Sequence, residues 1–153
     1  MRAATNTLLT LCAATLAASC ANYHVRKGEK AMASMAYAKA EHHFDKTLAQ
    51  RPDRNVLLQT ALAELKQEKV DEAVAHYSAA EEIAPLSGMD ALNYGKLLMG
   101  SGHYEKAGPV LVRALQDMPE RGEITELIGA CQGYRSFFAD SAQYAIAPLA
   151  LPG

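Results

Sequence analysis

Small and bulky apolar residues recur along this chain with a period near 34 residues. In three places an alanine is followed four residues later by a bulky apolar residue, and a proline comes after both. These segments contain Ala40, Phe44 and Pro52, then Ala73, Tyr77 and Pro85, then Ala107, Leu111 and Pro119. A second ladder of small residues has the same period: Gly28, Ala61, Gly95 and Gly129. Such a period is typical of proteins built from stacked repeats of one supersecondary unit.

The spacing of these residues predicts helices. Residues four positions apart lie on the same face of an α-helix, so each alanine shares one side of a helix with its bulky partner. A small residue where two helices cross lets their backbones approach, and a proline ends a helix because it cannot continue the hydrogen-bonded ladder. The repeat therefore predicts seven helices over residues 22–34, 37–50, 54–67, 70–83, 87–100, 104–117 and 121–133.

Two local signals refine the ends of these helices. Ser87 and Asp90 have the spacing of a capping box, which predicts that the Ser87 side chain caps the fifth helix. Pro109 falls inside the sixth helix, where a proline is tolerated only within the first turns.

This repeat resembles that of the tetratricopeptide repeat (TPR) family over roughly residues 21–133. The two best-matching segments run from Ala61 to Ala73 and from Gly95 to Ala107. Each has a small residue, a helix, a tight turn and the start of a second helix. The resemblance implies an all-α fold, an α-solenoid of about three TPR helix pairs with a C-terminal capping helix. It also implies a protein that binds other proteins and catalyses no reaction.

In TPR proteins the first helices of successive repeats line a concave groove that binds partners. The groove positions carried over from the family are held here by Met32, Asn55, Leu58, Leu62, Lys66, Met89, Leu92, Lys96, Met99 and Tyr134. For Leu58 and Leu92 the alternative is that they only pack between helices. Some TPR domains grip a C-terminal carboxylate with Lys and Asn, and Val25, Leu58 and Leu92 stand at those places, so no such clamp is expected.

The N-terminal residues predict an export signal. Arg2 precedes an uncharged stretch whose apolar centre is too short to span a bilayer comfortably. The stretch ends in Leu16-Ala17-Ala18-Ser19-Cys20, which resembles the lipobox of bacterial lipoproteins, where the cysteine is lipidated and becomes the N-terminus. We therefore expect a signal peptide over 1–19 and a lipid anchor at Cys20, in the bacterial outer membrane and facing the periplasm. Cleavage after Ala21 without a lipid is the alternative.

After the TPR domain, predicted over 20–139, the pattern becomes extended over 140–153. The segment from Asp140 to Tyr144 resembles a junction in cell-envelope lipoproteins that continue into propeller-like repeats and an OmpA-like domain. The tail is then the start of a missing downstream domain, and peptidoglycan becomes a candidate partner. The other alternative is a pilotin, or a similar TPR lipoprotein of pilus or secretion assembly.

Charge and motif content give no sign of catalysis. The net charge of −2 does not predict the basic face that nucleic acids need. The sequence has no metal-binding motif, phosphate loop or nucleophile elbow, so we expect neither a metal nor a cofactor. His42 and His43 point about 100° apart on a helix and are predicted to be solvated, as is His76. Cys131 is predicted to be a small buried side chain.

Overall fold

The computed structural model of the protein describes residues 22–139. The predicted signal peptide, Cys20 and the tail over 140–153 lie outside these residues. Between 22 and 139 the chain forms seven helices and no strand: α1 over 22–33, α2 Tyr37–Leu48, α3 Arg54–Leu65, α4 Val70–Ile83, α5 Gly88–Gly100, α6 Tyr104–Asp117 and α7 Gly122–Ala139. No helix in this part of the chain is long and apolar enough to cross a membrane. The predicted all-α fold is confirmed.

The helices belong to two compact units, divided between Pro85 and Leu86. The first unit contains α1 to α4, with α2 packed on α3 and α3 packed on α4. Part of its core is a cluster of Ala31, Ala40, Phe44, Val56 and Ala63. The second unit contains α5 to α7, with α6 packed on both α5 and α7. Each unit buries the alanines that precede the bulky residues of the repeat, because Ala40, Ala73 and Ala107 are fully buried.

Glycines of the ladder mark the closest helix approaches. A Cβ atom added to Gly28 would lie 2.3 Å from the ring of Phe44, and one added to Gly95 would lie 2.6 Å from the side chain of Leu111. Gly129 differs, since no atom lies within 4 Å of a Cβ added there. The first two glycines are therefore required by packing, whereas Gly129 lies on an open part of α7.

The turns inside the helix pairs repeat with the same period. Met35, Glu68 and Gly102 have positive φ angles of 57°, 60° and 78°. In each turn the next N–H donates to a carbonyl five residues back: Ala36 to Ala31 at 2.9 Å, Lys69 to Glu64 at 3.0 Å and His103 to Leu98 at 2.7 Å. This is the Schellman arrangement, in which a left-handed residue ends a helix and satisfies its last carbonyls.

The helices begin close to their predicted starts, but the one cap predicted from the sequence is not formed. The Asp53 side chain accepts hydrogen bonds from the N–H groups of Asn55 and Val56 and so caps α3. Ser87 stands at the N-cap of α5 but its side chain makes no capping hydrogen bond, so the predicted cap by the Ser87 side chain is wrong. The Asp117 carboxylate at the end of α6 instead accepts a hydrogen bond of 2.7 Å from the N–H of Gly88.

α6 contains a proline, and α7 is longer than the sequence predicted. Pro109 is the sixth residue of α6 and stays within the helix, as the sequence allowed. α7 runs to Ala139, six residues beyond the predicted end at 133. No proline or glycine follows Gly133 before the helix ends, so nothing local stops the helix there.

Candidate functional site

One stripe of the predicted groove residues runs along α3. Asn55, Leu58, Leu62 and Lys66 follow one another at intervals of three or four residues, so they share one side of the helix. Asn55 and Lys66 are exposed at the two ends, and the two leucines between them are partly buried. The α3 stripe therefore has a half-buried apolar centre between polar ends, which is a suitable surface for a partner with both kinds of side chain.

The corresponding residues of α5 divide into accessible and buried ones. Met89 is 48% exposed and Met99 is partly buried, but Leu92 is only 1% exposed. Leu92 therefore packs in the interior, which is the alternative that the sequence left open for it. The exposed ammonium group of Lys96 pairs with the carboxylate of Glu123 on α7 and holds the pKa of Glu123 below its ordinary value.

The first and last of the predicted groove residues contact other residues of the protein. Met32 is partly buried and packs against the core cluster of the first unit. Tyr134 on α7 stacks on Tyr104 at the start of α6, with ring centroids 4.0 Å apart and planes within 16° of parallel. The more accessible groove residues are consequently those at the ends of the α3 stripe, together with Met89 and Lys96.

A buried carboxylate in the first unit was missed by the sequence analysis. Glu64 on α3 is 2% exposed, and its Oε2 lies 2.8 Å from Nδ1 of His76 on α4. This hydrogen bond raises the pKa of His76 above its ordinary value. The prediction that His76 is solvated is wrong, because its ring is partly buried and satisfies a carboxylate that would otherwise lack a partner.

A second polar cluster joins α2 to the turn before α4. The Lys69 ammonium donates to both oxygens of Glu41, at 2.7 and 2.8 Å, and the Gln67 amide donates to Glu41 at 2.7 Å. Burial raises the pKa of Glu41, but the hydrogen bonds from Lys69 and Gln67 outweigh it and hold that pKa below its ordinary value. Lys69 therefore ties the first helix pair to the second.

The position of Glu64 could have been found from the sequence. Glu64 follows Ala61 by three residues and Thr60 by four, so helical spacing places it on the same side of α3 as the buried ladder. Thr60 and Ala61 are fully buried. The pairing with His76 has no such signal, because it depends on how α4 is rotated against α3.

The remaining candidate groups are one cysteine and two histidines. Cys131 is 5% exposed, as predicted, and burial raises the pKa of its thiol. His42 is exposed, whereas His43 is partly buried beside His24. Within residues 22–139, no group of three or more His, Cys, Asp or Glu residues is placed to hold a metal ion.

Comparisons with known proteins agree with the fold. No protein-family model matches the sequence. No curated protein matches it either. Among solved structures, the TPR2B domain of yeast Sti1, in its complex with pHsp70, is similar with a TM-score of 0.60 and 18% identity over 76% of this chain and 98% of that chain. The Sgt2 TPR domain from Aspergillus fumigatus is similar with a TM-score of 0.58 and 15% identity over 87% of this chain and 88% of that chain. The TPR fold predicted from the sequence is thereby confirmed.

Proposed function

We propose that this protein is a non-enzymatic scaffold of the bacterial cell envelope, anchored by lipid at Cys20, that binds partner proteins through the exposed residues of its TPR groove. The α3 stripe carries the proposal, because it pairs a half-buried apolar centre with two exposed polar ends. An apolar centre within a polar rim is the usual arrangement of a protein–protein interface. The similarity of the fold to TPR domains supports the same function.

The chemistry of the groove indicates the kind of partner. The positions at which TPR carboxylate clamps carry Lys and Asn are held by Val25 and Leu58 in the first unit and by the buried Leu92 in the second. Binding would therefore depend on side chains of the partner and would not require its free C-terminal carboxylate. Leu58 and Leu62 fit apolar side chains, and Lys66 adds a positive charge that favours an acidic neighbour in the partner.

Capture of partners from the organism's own envelope tests this assignment. The double variant Asn55→Ala/Lys66→Glu changes only exposed residues of the α3 stripe, so its helicity should equal that of the parent. We expect its affinity for a captured partner to fall by roughly tenfold, which corresponds to about 1.4 kcal/mol. Lys106→Glu is the matched control, because it reverses an exposed lysine on α6, outside the groove. Equal loss in both variants, or in neither, would contradict the assignment of the groove.

The membrane anchor has its own test. Cys20→Ser should move the protein from the membrane fraction to the soluble fraction and abolish incorporation of labelled palmitate. Cys12→Ser is the matched control, because Cys12 lies within the predicted signal peptide and would be removed with it. A Cys20→Ser protein that stays labelled and membrane-bound would show that the anchor is wrong, whatever the groove binds.

A further inference from the structure

One face of α1 carries three basic residues and a tyrosine. Tyr23, Arg26, Lys27 and Lys30 have the spacing of neighbours on one side of a helix and lie within an arc of about 100°. All four side chains are exposed, and Tyr23 is 56% exposed. These four residues, which we call the α1 stripe, extend about 10 Å along the helix. The proposed groove makes no use of them.

The other side of α1 packs into the first unit. Ala31 is 4% exposed and belongs to the core cluster, against which Val25 and Met32 pack. Gly28 is buried where α1 meets Phe44 of α2. Because these contacts fix the rotation of α1 about its axis, the α1 stripe faces away from the core of the unit.

The positive charges of the α1 stripe are not neutralised by ion pairs. Within residues 22–139, no ion pair includes Arg26, Lys27 or Lys30. The ammonium group of Lys27 lies 5.5 Å from the centre of the Tyr23 ring, within cation–π distance. Glu29, the acidic residue of α1, lies about 60° outside the arc of the stripe. Three neighbouring cations therefore face solvent, and they favour binding to an anionic surface.

The distribution of charge along the described chain agrees with this. Residues 22–50 contain five Lys or Arg and three Asp or Glu, whereas residues 51–139 contain nine Lys or Arg and thirteen Asp or Glu. The first helix pair is therefore basic and the rest of the described chain is acidic. Such an asymmetry is typical of a chain whose basic part binds a membrane or a nucleic acid.

The position of the stripe beside Cys20 favours the membrane. Asn22, at the start of α1, follows the proposed lipid anchor by two residues, so the anchor would hold this end of the helix at the bilayer. Basic residues close to a membrane attachment bind anionic lipids, and tyrosine is enriched at the level of the headgroups. A helix held at a bilayer meets phospholipid headgroups before it meets any nucleic acid.

We propose that the α1 stripe binds anionic phospholipid headgroups and lays α1 along the membrane surface, which orients the first unit there. This rests on the lipid anchor proposed at Cys20 and adds a contact that the anchor does not provide. A lipid at Cys20 alone leaves α1 free to stand away from the bilayer. Each basic residue beside an anionic surface shifts the equilibrium toward the flat orientation by about fivefold.

A tryptophan at the far end of α1 tests the orientation. The chain contains no tryptophan, so Ser34→Trp adds a single fluorophore. Ser34 is exposed, shares the side of the α1 stripe and lies about 18 Å along the helix axis from Asn22. Its replacement therefore reaches the headgroups only if α1 lies close to parallel with the membrane.

The full chain carrying Ser34→Trp, purified in detergent from its own membranes, is reconstituted into two kinds of vesicle. One contains phosphatidylcholine alone, and the other contains equal amounts of phosphatidylcholine and phosphatidylglycerol. We expect the tryptophan emission to shift to shorter wavelength, and to be quenched by brominated phosphatidylcholine, only in the vesicles with phosphatidylglycerol. High salt should reverse both changes, because it screens exposed charges.

Charge variants in the same background show whether the stripe is responsible. Arg26→Gln/Lys30→Gln should reduce the ratio of docked to undocked protein by about 30-fold and restore the emission seen in phosphatidylcholine. Lys106→Gln/Arg121→Gln is the matched control, because it removes the same charge from exposed residues of the second unit. Its quenching should equal that of the parent.

Flotation of the vesicles separates failure of the docking from failure of the anchor. Protein that floats with both kinds of vesicle but has the same emission in each would overturn the docking and leave the anchor intact. Protein that floats with neither would overturn both. Equal loss of quenching in the two double variants would show that net charge and not the α1 stripe governs the contact, which would also overturn the proposal.

Discussion

The small-residue ladder makes a sharp prediction about Gly95. A Cβ atom there would lie 2.6 Å from Cδ2 and 2.7 Å from Cγ of Leu111, about 1 Å closer than an ordinary contact. Leu111 is fully buried, so its side chain cannot swing into solvent to make room. The helices α5 and α6 would have to move apart, and overpacking of this kind costs about 1–3 kcal/mol.

The helix propensity of alanine offsets part of this cost. Replacing glycine by alanine inside a helix stabilises it by about 0.8–1.0 kcal/mol. Gly95→Ala should therefore lower the free energy of unfolding by up to about 2 kcal/mol. The matched control is Gly129→Ala on α7, where the new Cβ meets no atom within 4 Å. That variant gains the propensity without the clash and should be more stable by about 0.5–1 kcal/mol.

Urea unfolding followed by far-ultraviolet circular dichroism measures both variants. The stability of Gly129→Ala should exceed that of the parent, and the stability of Gly95→Ala should fall below it. The second repeat shows that the ladder itself accepts alanine, because Ala61 occupies the equivalent position and is fully buried. If Gly95→Ala proved as stable as Gly129→Ala, the close approach of α5 and α6 would not be what requires glycine, and the reasoning would fail.

Three further predictions concern a turn, an ion pair and a thiol. Glu68→Gly should raise the free energy of unfolding by about 0.5–1 kcal/mol, because glycine adopts the positive φ of 60° without steric cost. Gly102→Ala, at φ 78°, should lower the free energy of unfolding for the same reason, and urea unfolding measures both effects. Because Glu64 raises the pKa of His76 above 6.5, the contribution of this pair to the free energy of unfolding should be complete below pH 6.5 and lost as the pH rises through the raised pKa. The melting temperature should therefore depend less on pH in His76→Gln than in the parent, and an unchanged profile would contradict the role of the pair. The Cys131 thiol is 5% exposed and has a raised pKa. It should therefore react with an alkylating reagent far more slowly in the folded protein than in the protein unfolded by urea, and equal rates in the two states would show that the thiol is not buried.

The sequence alone determined the order of the helices and, to within a few residues, most of their limits. Their signals are local: an alanine with a bulky residue four positions later, a small residue at each crossing, and a proline after each pair. Every repeat places the same residue types at the same positions, so one frame predicted all seven helices. The frame erred at the end of α7, because the residues after Gly133 include no strong helix breaker before Ala139.

Only the tertiary structure decided which faces of these helices are buried and which polar groups meet. Leu58 and Leu92 hold equivalent positions in successive repeats, yet the first is partly exposed and the second is 1% exposed. The contact between His24 and His43 joins residues 19 positions apart on two helices, and the pairing of Lys69 with Glu41 joins residues 28 positions apart. Such contacts depend on the rotation of each helix about its axis and on side-chain rotamers. A repeat period indicates about where a helix begins and ends, but the rotation of the helix and the rotamers of its side chains are set only when the helices pack.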